Sequence, residues 1–250
     1  MSIGGNPGFA SVVVDGESEQ FFWPSQLECV NLASRMHSPR IDAIIFDCDG
    51  TLVDSVPLAV EALSECLSAL HLAPGAADAA VRLFDAGKLA ESLARCEVLL
   101  GIKLPADFVA VFRRARADAV RARLQPMPGA HALLGAVTLP VAVASNGPLE
   151  QTLLSLQATD LHRYFGRSVF SAYELDRWKP DPDLFLHAAA AMGVHPSRCA
   201  VVEDSLSGVH AGIAAGMTVF SLFPEVPQHA TRVHRIANLH EIGQYLANAG

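Results

Sequence analysis

From Leu139 onward the chain alternates short apolar runs with helical stretches, and this rhythm constrains the fold more than any other feature. Leu139–Ala144, Val169–Ser171, Cys199–Val202 and Thr218–Leu222 read as strands; 148–157, Asp183–Met192, 206–215 and 239–248 read as helices. Short apolar runs bounded by turn residues suit strands buried on both faces. Strands that alternate with helices imply a parallel sheet, because a parallel crossover needs a dozen or more residues and a helix supplies them. Ile41–Phe46 (IDAIIF) is one more such run, and it stops abruptly at Asp47-Cys48-Asp49-Gly50-Thr51. Residues 57–123 then carry no convincing strand. They are rich in Ala and Leu with charges at helical spacing, as in Glu91-Ser92-Leu93-Ala94-Arg95, until Gln125-Pro126-Met127-Pro128-Gly129 breaks the pattern. The predicted fold is therefore α/β: a sheet core from 41–56 and 124–250, interrupted by a helical module at 57–123.

Residues 1–40 differ in composition. Gly, Pro, Ser and acidic residues dominate, apart from an aromatic patch at Phe21–Trp23, and the segment reads as a poorly ordered N-terminal extension. Met36, five residues before the first core strand, is an alternative start. The chain as a whole, with 250 residues, 51% hydrophobic and 18% charged, has a globular balance. Its formal net charge of −8 and lack of a basic stripe argue against a nucleic-acid partner. The same charge repels anionic substrates, so a phosphate site must carry its own local cation. No apolar run reaches the roughly 18 residues that a membrane span needs, and the first residues lack the pattern of a signal peptide. The five cysteines (Cys29, Cys48, Cys66, Cys96, Cys199) are widely spaced without a CxxC. Neither disulfides nor zinc are expected, and a reducing cytoplasm fits best. Nothing in the sequence sets an oligomeric state.

In open parallel sheets, ligands bind beyond the carboxyl ends of the strands. The polar clusters there are Asp47-Cys48-Asp49-Gly50-Thr51, Ser145-Asn146-Gly147, Trp178-Lys179-Pro180-Asp181 and Glu203-Asp204-Ser205. Four carboxylates brought to one edge repel one another and need a cation. Hard oxygen donors without His or Cys favour Mg2+ over zinc. Lys179, the Ser145 hydroxyl and the Asn146 amide can hold phosphoryl oxygens, and a metal plus a lysine is what phosphoryl transfer requires. Of Asp47 and Asp49, one can attack phosphorus while the other handles protons. Gly50 permits the tight turn, and Thr51 can bond the phosphoryl group or its neighbours. Each cluster alone has an ordinary reading: an acid-Gly loop, a Ser-Asn-Gly turn, a solvated lysine, a helix cap. Their joint order and placement argue against four accidents.

FDCDGTLVDS (46–55), VASNG (143–147), WKPDP (178–182) and VVEDSLSGVHAGIAAGM (201–217) resemble the four motifs of the haloacid dehalogenase-like hydrolases, in order, over about residues 41–222. The resemblance implies a Rossmann-like core with an inserted helical cap, and Mg2+-dependent hydrolysis of a small phosphorylated metabolite. The sugar-phosphate phosphatase branch is the nearest in pattern, so a sugar phosphate or sugar-acid phosphate is the expected substrate. Asp47 is then the nucleophile that forms an aspartyl-phosphate; Asp49 protonates the leaving alkoxide and afterwards activates water. Asp47, the Asp49 backbone carbonyl and Asp204 are the expected Mg2+ ligands, with Glu203 beside or behind them. Thr51, Ser145, Asn146 and Lys179 are the expected phosphate binders. An acidic residue at position 49 favours phosphate esters over halides or phosphonates. The implied runner-up is a β-phosphoglucomutase-like phosphomutase. Those enzymes carry a Gly-x-Ser-Arg cap segment where this chain has Ala86-Gly87-Lys88-Leu89, without the arginine. Lys88 is a candidate cap contact for an anionic substrate, or a solvated helix-end lysine. A non-catalytic metabolite-binding module is the other alternative, and the intact Asp47, Asp49, Lys179 and Asp204 speak against it. Cys48 is expected to be a small packed side chain, Trp178 to pack the loop presenting Lys179, and Asp54 and Ser55 to cap the first helix of the insert.

Overall fold

The structure, a computed structural model, describes residues 9–14, 17–22, 40–84, 87–225 and 231–249. The chain divides into two compact units, Met1–Arg40 and Ile41–Gly250. In the first, β1 (Phe9–Val14) pairs antiparallel with β2 (Glu17–Phe22), Val14 opposite Glu17. These two strands are the described part of the segment expected to be a poorly ordered extension. The rest of that expectation, Trp23 and Met36 included, lies outside the described residues.

The second unit is built on a six-stranded parallel sheet in the order β5-β4-β3-β6-β7-β8. Its strands are β3 (Ala43–Phe46), β4 (Val141–Ser145), β5 (Val169–Ser171), β6 (Cys199–Glu203), β7 (Thr218–Ser221) and β8 (Val233–Arg235). The insert between β3 and β4 contributes α1 (Val56–Ser68), α2 (Ala76–Val81), α3 (Leu89–Leu100) and α4 (Phe108–Arg123), and α5 (Ala130–Ala136) follows it. The remaining helices are α6 (Leu149–Ala158), the single turns α7 (His162–Phe165) and α8 (Ala172–Leu175), then α9 (Asp183–Ala191), α10 (Leu206–Ala214) and α11 (His240–Ala249).

Alternate residues of the central strand enter two separate cores. Ile44 and Phe46 pack with Leu133, Val143, Phe165, Val202 and Phe220 on one face; Ala43 and Ile45 pack with Leu184, Phe185, Val201 and Val219 on the other. This is the period-two pattern of a strand covered on both sides. Burial of each large side chain is worth about 1.5–3 kcal/mol. The insert holds its own apolar cluster around Leu63, Leu67, Leu93, Phe108 and Phe112. No helix of the described residues is long and apolar enough to cross a membrane.

The strand limits shift slightly from those predicted. β4 begins after Pro140, which has no N–H for the ladder, and the Pro140 carbonyl instead accepts from the Ile44 N–H at 3.0 Å. β6 runs on to Glu203. β8 was not predicted: Val233-His234-Arg235 is a three-residue edge strand with no apolar run. Outgoing and returning chains between core and insert are tied together. The N–H groups of Leu52 and Val53 bond the Cys48 carbonyl, that of Asp54 bonds Gln125, and that of Met127 bonds Leu52 at 2.8 Å.

Candidate active site

Each predicted cluster sits at or just past the carboxyl end of a strand. Asp47 follows β3 and is held by its backbone N–H, which donates to the Val202 carbonyl at 2.9 Å. Ser145 ends β4 and Glu203 ends β6. The loop after α8 brings in Lys179, whose backbone N–H donates to Asn146 Oδ1 at 3.0 Å. Asn146 therefore braces the lysine loop. The result joins residues 132 apart: Lys179 Nζ lies 2.6 Å from Asp47 Oδ1 and 2.5 Å from Glu203 Oε1. Lys179 is only 4% exposed. Burial works against its charge, but the Asp47 and Glu203 carboxylates more than offset it and hold the ammonium protonated well above the usual lysine range.

One oxygen from each of Asp47, Glu203 and Asp204 lies within 4.8 Å of the others. Burial pushes the Asp47 carboxyl upward, opposed by Lys179 and reinforced by Glu203 and Asp204. Burial and Glu203 push Asp204 up to about 7. Two glycines make the crowding possible. Gly50 has φ +85°, and a Cβ there would come within 2.0 Å of Asp204 Oδ2. A Cβ on Gly208 would fall 1.9 Å from the Glu203 carboxyl carbon. Three carboxylates compressed against a single ammonium, two of them shifted toward protonation, make an all-oxygen donor set that fits a hard divalent cation. Cys48, between the acidic residues, is fully buried in the sheet core as expected; burial, then Asp49 and Asp47, raise its thiol well above the usual range.

Several expected roles change. Thr51, expected among the phosphate binders, is fully buried and does not line the cavity; its hydroxyl donates to Asp204 Oδ1 at 3.3 Å and so positions that carboxylate. Glu203 keeps its expected place beside Asp47 and Asp204, with Oε1 taken by Lys179 and its second oxygen by the Ser205 N–H at 3.3 Å and hydroxyl at 3.0 Å. The Asp49 side chain stays out of the three-carboxylate group: its Oδ1 accepts from the Ser55 hydroxyl and, at 2.6 Å, from Arg116 Nη2. Ser55 occupies the N-cap position of α1 but makes no side-chain capping bond. Lys88, the candidate cap contact, does not line the cavity. Its Nζ sits 4.0 Å from the centroid of Trp178, which also packs edge-on against Tyr173.

A cavity of about 170 Å3 joins these groups. Asp47, Asp49, Ser145, Asn146, Lys179 and Asp204 are among the residues that line it from the core, with Gln151 and Tyr173; Phe84, Phe112, Arg113 and Arg116 are among those that line it from the insert. The two arginines were missed in the sequence. A signal existed: Phe108, Phe112, Arg116 and Val120 recur every four residues as the buried stripe of α4, and an arginine within an apolar stripe needs an acidic partner.

The chain belongs to the haloacid dehalogenase-like hydrolases: the family model, described as "haloacid dehalogenase-like hydrolase", matches residues 41–216. Among curated relatives, 6-phosphogluconate phosphatase of Escherichia coli (strain K12) is 37% identical over 196 residues, 78% of this chain and 88% of that protein. Hexitol phosphatase A of the same organism is 32% identical over 206 residues, 79% and 89% of the two chains. The crystal structure of a HAD family hydrolase from Deinococcus radiodurans R1, with bound phosphate and sodium, superposes with a TM-score of 0.66 at 28% identity, covering 85% of this chain and 98% of that one. This chain is an enzyme of the family's phosphatase kind.

Proposed function

We propose that this protein is a Mg2+-dependent phosphatase that hydrolyses a small phosphomonoester, a sugar phosphate or sugar-acid phosphate, through an aspartyl-phosphate on Asp47. The carrying observation is the Lys179 ammonium between Asp47 and Glu203 at 2.6 and 2.5 Å, with Asp204 beside them. The names of the two phosphatase relatives support the substrate class. Asp47, Asp204 and the Asp49 backbone carbonyl are the proposed Mg2+ ligands, and the ion, when bound, neutralises phosphoryl charge.

The Asp47 carboxylate attacks phosphorus as the P–O bond to the sugar breaks, and the departing alkoxide takes a proton from Asp49 once that carboxyl, paired with Arg116 in this structure, has picked one up from solvent. Asp49 then takes a proton from water, whose oxygen attacks the acyl phosphate; the phosphorus–Asp47 bond breaks, inorganic phosphate leaves and Asp47 is restored. Lys179, held cationic, and Ser145 bind the phosphoryl oxygens through both steps. Val56, Phe84 and Phe112 give the cavity an apolar wall that excludes bulk water. Phosphate release from a panel of sugar phosphates, sugar-acid phosphates and nucleotides, with and without Mg2+, tests this reading. Asp47→Asn should lose activity by about 1,000-fold or more while keeping its circular dichroism spectrum. Turnover above a trace in that variant contradicts the mechanism.

A further inference from the structure

We propose that Arg113, beside Arg116 on one face of α4, forms a subsite for a carboxylate on the insert side of the cavity, so that the preferred substrate is a phosphorylated sugar acid and not a neutral sugar phosphate. The inference rests on the phosphatase reading above and narrows its substrate. The two arginines lie three residues apart on α4, hence on one face, and both line the cavity that holds Asp47 and Lys179. Arg116 is 8% exposed. Its Nη1 donates to Gln151 Oε1 at 2.7 Å and its Nη2 to Asp49 at 2.6 Å, but its Nε is buried without an acceptor. Arg113 Nε is likewise buried without an acceptor. Its guanidinium lies 5.5 Å from the Tyr173 ring centroid and makes only a long contact, 3.4 Å, to the Tyr173 hydroxyl.

Charge matching points to the ligand. Lys179 faces two carboxylates and Arg116 faces one, whereas Arg113 pairs with no carboxylate among the described residues. The insert side of the cavity therefore carries one positive charge, on Arg113, that no carboxylate of the described residues matches. A carboxylate brings one negative charge and two coplanar acceptors, the geometry a guanidinium matches best. A terminal hydroxymethyl group leaves the charge unmatched. A second phosphoryl group brings further negative charge into a cavity that Asp47, Asp49 and Asp204 already line.

The test is calorimetric titration of the Asp47→Asn protein, with Mg2+ present, using two ligands of equal carbon length: a phosphorylated aldonate and the alditol phosphate with CH2OH in place of the carboxylate. The aldonate should bind about 10- to 100-fold more tightly. Adding Arg113→Gln should shrink that preference to roughly threefold or less, and Arg113→Lys, which keeps charge but not the fork, should leave it intermediate. Equal binding of the two ligands, or a preference that survives Arg113→Gln, overturns the subsite. If Arg113→Gln does not fold, an undiminished preference in Arg113→Lys overturns it instead. Tighter binding of a sugar bisphosphate than of the aldonate overturns the assignment to a carboxylate. Phosphate release by the native enzyme is measured in parallel. No release from either ligand sinks the phosphatase reading, while the binding ratio still judges the subsite.

Discussion

The core and the insert face the same cavity with opposite chemistry. The core supplies acids and aromatic rings: Asp47, Asp49 and Asp204 at strand ends, Tyr173 in α8, and Trp178 in the loop just outside the cavity lining. The insert supplies cations that meet them, Arg116 on Asp49, Arg113 over Tyr173 and Lys88 over Trp178. The core groups are fixed by the sheet. Asp47 and Glu203 are anchored through β3 and β6, and changing either spacing would change the register of buried strands. The insert groups hang from helices with a separate apolar cluster, so their identity can vary without disturbing the sheet. On the function proposed above, reaction chemistry belongs to the sheet-anchored groups and discrimination to the insert, the part that can be exchanged.

That contrast can be broken first at Lys179. Lys179→Met removes the shared ammonium and leaves Asp47 and Glu203 buried without it, so the expected loss is about 3–5 kcal/mol of stability, read by denaturant unfolding. A loss below roughly 1 kcal/mol would mean that the core site is no stiffer than the insert.

The next largest effect is on pH dependence. The Asp204 carboxyl titrates at about 7 when folded, above the ordinary 3.8 that it recovers on unfolding. As pH rises between these values the unfolded chain sheds the proton first, so metal-free stability should fall from about pH 4 to pH 7. A divalent cation prefers the ionised carboxylate, so stabilisation by Mg2+ should grow as pH rises through 7. Thermal unfolding at pH 5 and pH 8, with and without Mg2+, checks the sign; a Mg2+ effect larger at pH 5 goes against it. The smallest effect belongs to the insert. Lys88→Ala removes one cation–π contact and should cost about 0.5–1 kcal/mol, a melting shift of only a few degrees, without change of fold.

How much could be read from the sequence follows the same division. Strands β3, β4, β6 and β7 were legible because burial on both faces leaves unbroken apolar runs, and the acids beyond them were legible because strand ends define where they converge. Thr51 was placed in the site but misdirected, since sequence does not reveal that its hydroxyl turns to Asp204 instead of the cavity. β8 was invisible because a three-residue edge strand with His234 and Arg235 has no apolar signature. The helices of the insert were readable, but which of their charges face the core was not. That depends on how α4 packs: Arg113 reads as an ordinary helix-surface residue, and Arg116 is marked only by its place in the Phe108, Phe112, Val120 stripe.

The paired crossing between the two parts has a mechanical consequence. Because Asp54 is bonded to Gln125 and Met127 to Leu52, the connection behaves as a narrow ribbon and not as two loose tethers. A ribbon bends easily across its flat side and resists shear and torsion. Any displacement of α4 relative to the sheet would therefore be steered by that ribbon and kept close to a single arc.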